Sequence, residues 1–274
     1  MTPLGVALEI TPPREPRPEV LLRRARLLGE RASWVHVIER VERQPSIDAA
    51  LELESRGIAA VWHLVSRGRS EAQCARTIER AVRSGLRAAL VVRGEPGPAE
   101  VGAPPTLVSL VRRLRAALPD GRIGVTADPY AERERVLRFL WPKLETGAGF
   151  VQTQPIFELA ALAPLAESIR RRAPGVQIVP MLIPLLSVAS AARLGQRLGV
   201  PLPEALLRGL ERAGEPFGWR AFARLVAELT HSGLCDSLAL MTQEADPPKT
   251  FGERLTSALG ARREPQPEQR QSDV

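Results

Sequence analysis

Short apolar runs of β-like composition alternate with longer amphipathic stretches along nearly the whole chain, and this alternation constrains the fold more than any other feature. The runs fall at 5–10, 34–38, 59–65, 88–92, 123–126, 150–153, 177–181 and 237–241. Between them lie segments of helical period at 18–31, 47–56, 70–84, 106–117, 131–145, 159–172 and 188–198, then a pair at 203–213 and 219–232. Gly57, Gly85, Gly147 and Gly233 each follow a periodic segment, where a helix stop calls for a residue that tolerates positive φ. Ser70 stands as an N-cap before the run that starts at Glu71. Eight strand–helix repeats over about 240 residues predict a (β/α)8 TIM barrel with an extra helix before the last strand. An open doubly wound sheet is the other architecture that such alternation permits. The first strand–helix turn, Thr11-Pro12-Pro13-Arg14, carries no G-x-G-x-x-G fingerprint in its favour.

One barrel domain is therefore expected over 1–260, with a disordered polar tail over 261–274, which is rich in Pro and Gln. The chain has 274 residues, with 38 Lys+Arg against 31 Asp+Glu, a formal net charge of +7. Lys143 and Lys249 are its two lysines; the remaining basic residues are arginines. Most arginines sit on helical segments, as in 23–26, 76–83, 112–115 and 170–172, interleaved with Leu, Ala and Val as solvated faces would be. Aromatic residues make up only 4% of the chain, too few for base-stacking platforms, and no nucleic-acid partner is expected. The positive charge suits attraction of acidic small ligands instead. No apolar run approaches the ~18 residues of a membrane span. The first residues show no basic start followed by an apolar stretch, so secretion is not expected; two cysteines make no disulfide framework, and the cytoplasm is the expected location.

On a barrel, functional residues project from the carboxyl ends of the strands. Those ends carry Glu9, Glu39-Arg40, His63, Arg93-Gly94-Glu95, Asp128-Pro129-Tyr130, Gln152-Thr153-Gln154 and Pro184. Glu9, between Leu8 and Ile10, is expected to be a functional carboxylate with a raised pKa, able to donate a proton near neutrality. His63 reads equally as a core histidine and as a ligand contact. Arg93-Gly94-Glu95 places a cation, a residue without Cβ and a carboxylate directly after Leu90-Val91-Val92, so that a flat ligand or a phosphate can approach the backbone. The amides of Gln152 and Gln154 suit a heterocycle edge. Tyr130, the sole tyrosine, either caps the mouth or shields a loop. His36 and His231 have no Cys or carboxylate at metal-ligand spacing, and no metal site is expected.

In this order the segments resemble the methylenetetrahydrofolate reductase family, flavin-dependent barrel enzymes of one-carbon metabolism. The resemblance is carried by Val6-Ala7-Leu8-Glu9-Ile10-Thr11-Pro12-Pro13-Arg14, by 57–64 ending in His63-Leu64, and by 85–96 containing Arg93-Gly94-Glu95-Pro96. Lys143-Leu144-Glu145-Thr146-Gly147-Ala148 with Phe150-Val151-Gln152-Thr153-Gln154, and 178–184, complete it over about residues 4–243. It implies reduction of 5,10-methylenetetrahydrofolate to 5-methyltetrahydrofolate by NAD(P)H through FAD, in methionine biosynthesis. It implies that Glu9 assists the protonation that opens the methylene bridge, and that Glu95 lies near flavin and pterin as a second catalytic carboxylate. Gln154 would hydrogen-bond the pterin. His63, Arg93, Gly94, Glu95, Tyr130 and Lys143 would contact FAD, the two cations facing its pyrophosphate. Three segments depart from the family pattern: 37–42, where glycines are replaced by charged residues, the shortened loop at 128–132, and 238–243. A non-catalytic folate-binding barrel, or one partnered with a methyltransferase, is the alternative those departures allow. A homo-oligomer is a further assembly the chain admits.

Overall fold

A computed structural model describes residues 4–94, 104–244 and 246–260. Eight parallel strands close into a barrel in chain order: β1 (Gly5–Ile10), β2 (Trp34–Val37), β3 (Ala60–Val65), β4 (Ala88–Val92), β5 (Arg122–Ala127), β6 (Phe150–Pro155), β7 (Gln177–Leu182) and β8 (Ser237–Met241). Helices α1 (Pro18–Ala25), α2 (Ser46–Glu54), α3 (Glu71–Arg83), α4 (Leu107–Ala117), α5 (Arg133–Glu145), α6 (Leu159–Arg172), α7 (Val188–Leu198) and α8 (Glu204–Ser232) pack outside. The TIM barrel is thus present, with α7 and α8 both preceding β8. Residues 26–31, expected to continue the first helix, form a turn and a 3-10 segment at Gly29–Arg31. The pair expected at 203–213 and 219–232 is one run broken at Gly214 (φ 52°, ψ −142°), a conformation that a residue with Cβ resists.

Local signals behave as their chemistry dictates. Ser70 Oγ accepts from Gln73 N, and the Gln73 side chain returns the bond to Ser70 N. Gly57, Gly85, Gly147 and Gly233 all have positive φ. A further helix, α9 (Lys249–Ala258), follows β8 and was not anticipated. It is ten residues long and mostly polar, and it buries Leu255 against the outer core. Its approach is pinned by Asp246, whose carboxylate receives Arg24 at 2.5 Å and 3.0 Å and Arg23 at 2.7 Å. Arg24 also donates to Thr11 O. The last strand–helix loop is thereby tied to the first helix.

Two apolar regions result. One lies between strands and helices, built from outward residues such as Leu8, Val35, Trp62, Leu64 and Val151. The other includes the barrel interior, where Val61, Ala88, Leu90, Phe150, Val179 and Ala239 point inward. At the amino-terminal end the Arg122 guanidinium lies 4.6 Å from the Phe150 ring and 5.4 Å from Trp34, and donates to Gln177 Oε1. Phe150 fits because its neighbour in β5 is Gly124; a Cβ there would meet the ring at 2.1 Å.

Gly124→Ala is expected to destabilise the fold by about 1–3 kcal/mol through overpacking. Adding Phe150→Leu should return part of that loss; a double variant no better than the sum of its parts in urea unfolding would refute the contact. The Asp246 clamp carries a pH signature. Arg24, then Arg23, hold the carboxyl well below the 3.8 of an unperturbed aspartate. Its stabilisation is therefore full above that value and lost as pH falls below it. Asp246→Asn should cost about 1 kcal/mol near neutrality, given the half-exposed carboxylate. The gap between variant and parent should narrow only below about pH 4; a constant gap across a pH series of unfolding curves would contradict the assignment.

Candidate functional site

Parallel register brings the site together. Glu9 of β1 stands level with His36 of β2, and both side chains enter the barrel. His63 projects inward one strand further on, and Gln152 reaches in from β6 on the other side. Gln152 Nε2 donates to Glu9 Oε2 at 2.6 Å, and His63 Nε2 lies 3.8 Å from the same oxygen. Exposures of 5% for Glu9, 0% for His36 and 6% for His63 mark a polar cluster inside an apolar barrel.

Burial governs its electrostatics. It pushes the Glu9 carboxyl up to about 7, against smaller opposing effects of the Gln152 hydrogen bond and the Arg40 charge. It pulls His36 down to about 3, with help from the Arg122 charge and a small upward pull from Gln152. His63 falls to about 3 through burial and then its neighbour His36. Near neutrality the cluster therefore holds two neutral imidazoles and a carboxyl group poised to exchange a proton.

Above Glu9 opens a cavity of about 150 Å³ whose walls include Arg24, Arg40 and Arg43. It shares Arg197, Thr242, Gln243, Glu244 and Pro247 with a cleft of about 1390 Å³ between α7, α8 and α9. The mouth cavity and the outer cleft thus adjoin across a shared wall.

The remaining expected residues are placed unevenly. Arg93 is exposed just beyond β4, and Gly94 follows at φ 87°; a Cβ there would meet Val65 Cγ1 at 2.3 Å. Arg67 N donates to Arg93 O and Arg67 Nη1 to Gly94 O, fixing this turn against the loop after β3. Glu95 lies outside the described residues, as does the tail at 261–274. Gln154 is exposed next to an irregularity in the β6–β7 register. Its neighbour Gln152, rather than Gln154, bonds Glu9. Tyr130 spends its hydroxyl on Pro155 O, and burial raises its pKa to about 12. Lys143 is buried in the last turn of α5 beside the start of β6, at the barrel end opposite Glu9. The structure does not bring it to the mouth.

His36 was missed as a site residue because its partners are distant in sequence and adjacent only through register. The signal lay in its parity: His36, like Glu9, occupies an inward position of its strand. The end of β2 is closed by an ion pair, Glu39 Oε1 with Arg69 at 2.5 Å, while Glu39 Oε2 accepts Ser46 N at the start of α2.

These placements bear on FAD. Among the described residues, Arg93 and Gly94 suit a phosphate or ring approaching the backbone. Lys143 lies in the last turn of α5, Tyr130 bonds Pro155 O, His63 faces Glu9, and the β2 end is filled by the Glu39–Arg69 pair. Among the described residues these groups do not together form a cradle for the flavin.

Comparison with known proteins agrees with the fold and places the site in context. Over the described residues no helix is long and apolar enough to cross a membrane. A protein from Clostridium thermocellum, whose structure is described as binding two copies of 5-methyl-5,6,7,8-tetrahydrofolic acid, superposes with a TM-score of 0.66 at 13% identity, covering 94% of each chain. Tryptophan synthase from M. tuberculosis superposes at 0.54 and 11% identity, over 94% of this chain and 91% of that one, a likeness of fold alone. In sequence, the chain is 27% identical over 182 residues to "Methylenetetrahydrofolate reductase 2" of Schizosaccharomyces pombe, covering 57% of this chain and 28% of that protein. It is 23% identical over 224 residues to "Probable methylenetetrahydrofolate reductase (NADPH)" of Caenorhabditis elegans, covering 76% of this chain and 34% of that one. The chain thus spans about a third of the length of these relatives. The pattern described as "Methylenetetrahydrofolate reductase" matches residues 3–246, nearly the whole described barrel with Glu9, His63 and Gln154 inside it, and the chain belongs to the methylenetetrahydrofolate reductase family.

Proposed function

We propose that this barrel binds a reduced folate at its mouth and reduces 5,10-methylenetetrahydrofolate to 5-methyltetrahydrofolate with a hydride from NAD(P)H. The observation that carries the reading is Glu9: a buried carboxyl with a pKa near 7, oriented by Gln152 and opening onto the mouth cavity. Family membership and the folate-bound structural neighbour support it.

The chemistry assigns each group a task. The protonated Glu9 carboxyl delivers its proton, directly or through one water, to the bridging nitrogen that leaves the one-carbon unit. The C–N bond breaks and a cationic iminium remains on the other nitrogen. Hydride adds to the methylene carbon and yields the methyl group. The ionised Glu9 left behind is held by Gln152 and recovers a proton from solvent. Gln154, exposed at the mouth, would bond the pterin edge, and Arg93 would meet the anionic groups of the nucleotide. Family enzymes generally use FAD as well as NAD(P)H. The described residues do not cradle FAD, and the hydride in this reading comes from NAD(P)H.

A second reading, a folate-binding barrel without reductase activity, is favoured by the Glu39–Arg69 pair that fills the β2 end. Such a barrel would serve a methyltransferase partner or act as a carrier.

Purified protein is expected to oxidise NAD(P)H only when 5,10-methylenetetrahydrofolate is present. Glu9→Gln should lower kcat by about 10²–10⁴, the usual weight of a proton donor. Calorimetric affinity for 5-methyltetrahydrofolate should stay within about threefold, less than 1 kcal/mol. Loss of binding in step with turnover would remove the proton-donor role. Tight folate binding with no NAD(P)H oxidation, with or without added FAD, would select the carrier reading. A yellow protein with a flavin spectrum would return FAD to the mechanism. Arg93→Ala should raise the KM for NAD(P)H and leave folate affinity unchanged; the reverse pattern would move Arg93 to the folate side.

A further inference from the structure

The polar cluster inside the barrel holds more donor atoms than its internal hydrogen bonds use. Neither ring nitrogen of His36 makes a hydrogen bond of good geometry, nor does Nε2 of His63, although both residues are buried and the Gln152 side chain lies near enough to His36 to affect its protonation. A fully buried imidazole with unmatched nitrogens is costly, and such a group calls for an occupant. One ligand atom from each of Glu9, His36 and His63 can be chosen so that all three lie within 4.8 Å of one another.

We propose that Glu9, His36 and His63 form a binding site for one divalent transition-metal ion of the Zn²⁺ class. Two imidazoles and one carboxylate are the donor set of an open catalytic-type zinc site, and they also suit other first-row ions. One oxygen donor among three selects against Mg²⁺ and Ca²⁺, which seek oxygen shells. Ligand atoms around a tetrahedral Zn²⁺ sit about 3.4 Å apart, given bonds of about 2.0–2.1 Å. His63 Nε2 and Glu9 Oε2 are already 3.8 Å apart, so closing the site takes side-chain movements of roughly 1 Å, with the strands in place.

The surroundings complete the site. Gln152 Nε2 donates to the Glu9 carboxylate and orients it, the usual outer-shell device around a metal. Glu9 borders the mouth cavity of about 150 Å³, which leaves a fourth position open to water or to a ligand. Arg24, Arg40 and Arg43 line that cavity. Their charge opposes a bare dication and favours an anionic fourth ligand such as hydroxide or a carboxylate. Binding of the metal at these three residues does not depend on the reductase reading.

The test is calorimetric titration of chelator-treated full-length protein with Zn²⁺, together with the visible spectrum of the Co²⁺-loaded protein. One Zn²⁺ per chain and the d–d bands of a four-coordinate Co²⁺ are expected. His36→Leu should weaken Zn²⁺ binding by more than about a hundredfold, beyond the loss of an outer-shell partner, while thermal unfolding shows an intact fold. Should His36→Leu fail to fold, His63→Gln must show the same loss. Absence of Zn²⁺ binding by the parent, equal affinity in parent and ligand variants, or an octahedral Co²⁺ spectrum would overturn the site. Zn²⁺ binding in a chain that never reduces folate would leave the site standing and remove only the reductase reading.

Discussion

Closure of eight parallel strands is the constraint on which the rest of the molecule depends. It sends alternate side chains of every strand into one narrow interior, where neighbours are set by register rather than by sequence distance. Glu9 meets His36 because the two stand level across the β1–β2 ladder, and it meets Gln152 because β6 faces β1 across the barrel. The same crowding requires Gly124 opposite Phe150. An aliphatic residue in place of any member of the polar group would make an ordinary packed barrel. The cluster therefore marks the place where packing has given way to chemistry.

This also explains which parts of the molecule were legible in the chain. The strands, the glycine stops and the Ser70 cap depend on a few consecutive residues, and local chemistry identifies them. Glu9 stood out because a carboxylate between Leu8 and Ile10 is conspicuous in one dimension. His36 did not, since Val35 and Val37 make it look like one polar residue in a short strand. Helix α9 escaped notice because its apolar positions, Phe251, Leu255 and Leu259, are few and spaced among polar residues. Asp246, which anchors it, acts on residues more than two hundred positions away. Lys143 was legible as part of a motif but not as a position; its place at the far end of α5 follows only from the topology.

The arginine-rich composition also acquires a structural meaning. Arg115 alone donates to the carbonyls of Gly147, Leu118, Pro119 and Gly121, joining the turns that end α4 and α5. Such bridging needs the planar, five-donor guanidinium and is beyond a lysine. Arg80 with Asp48, Arg113 with Glu71 and Arg172 with Glu145 connect neighbouring helices around the ring. Exposed pairs of this kind contribute little each, and their regular placement keeps many cations from acting as one field. Arg24, Arg40, Arg43 and the exposed Arg93 stand apart, at the carboxyl ends of the strands.

At the other end of the barrel, Arg122, stacked on Phe150 and Trp34 and bonded to Gln177, works as a stopper. With that plug in place the described interior is closed at its amino-terminal end. Protons, ions and ligands that reach Glu9 through the mouth cavity share one passage, and whatever occupies it controls their exchange.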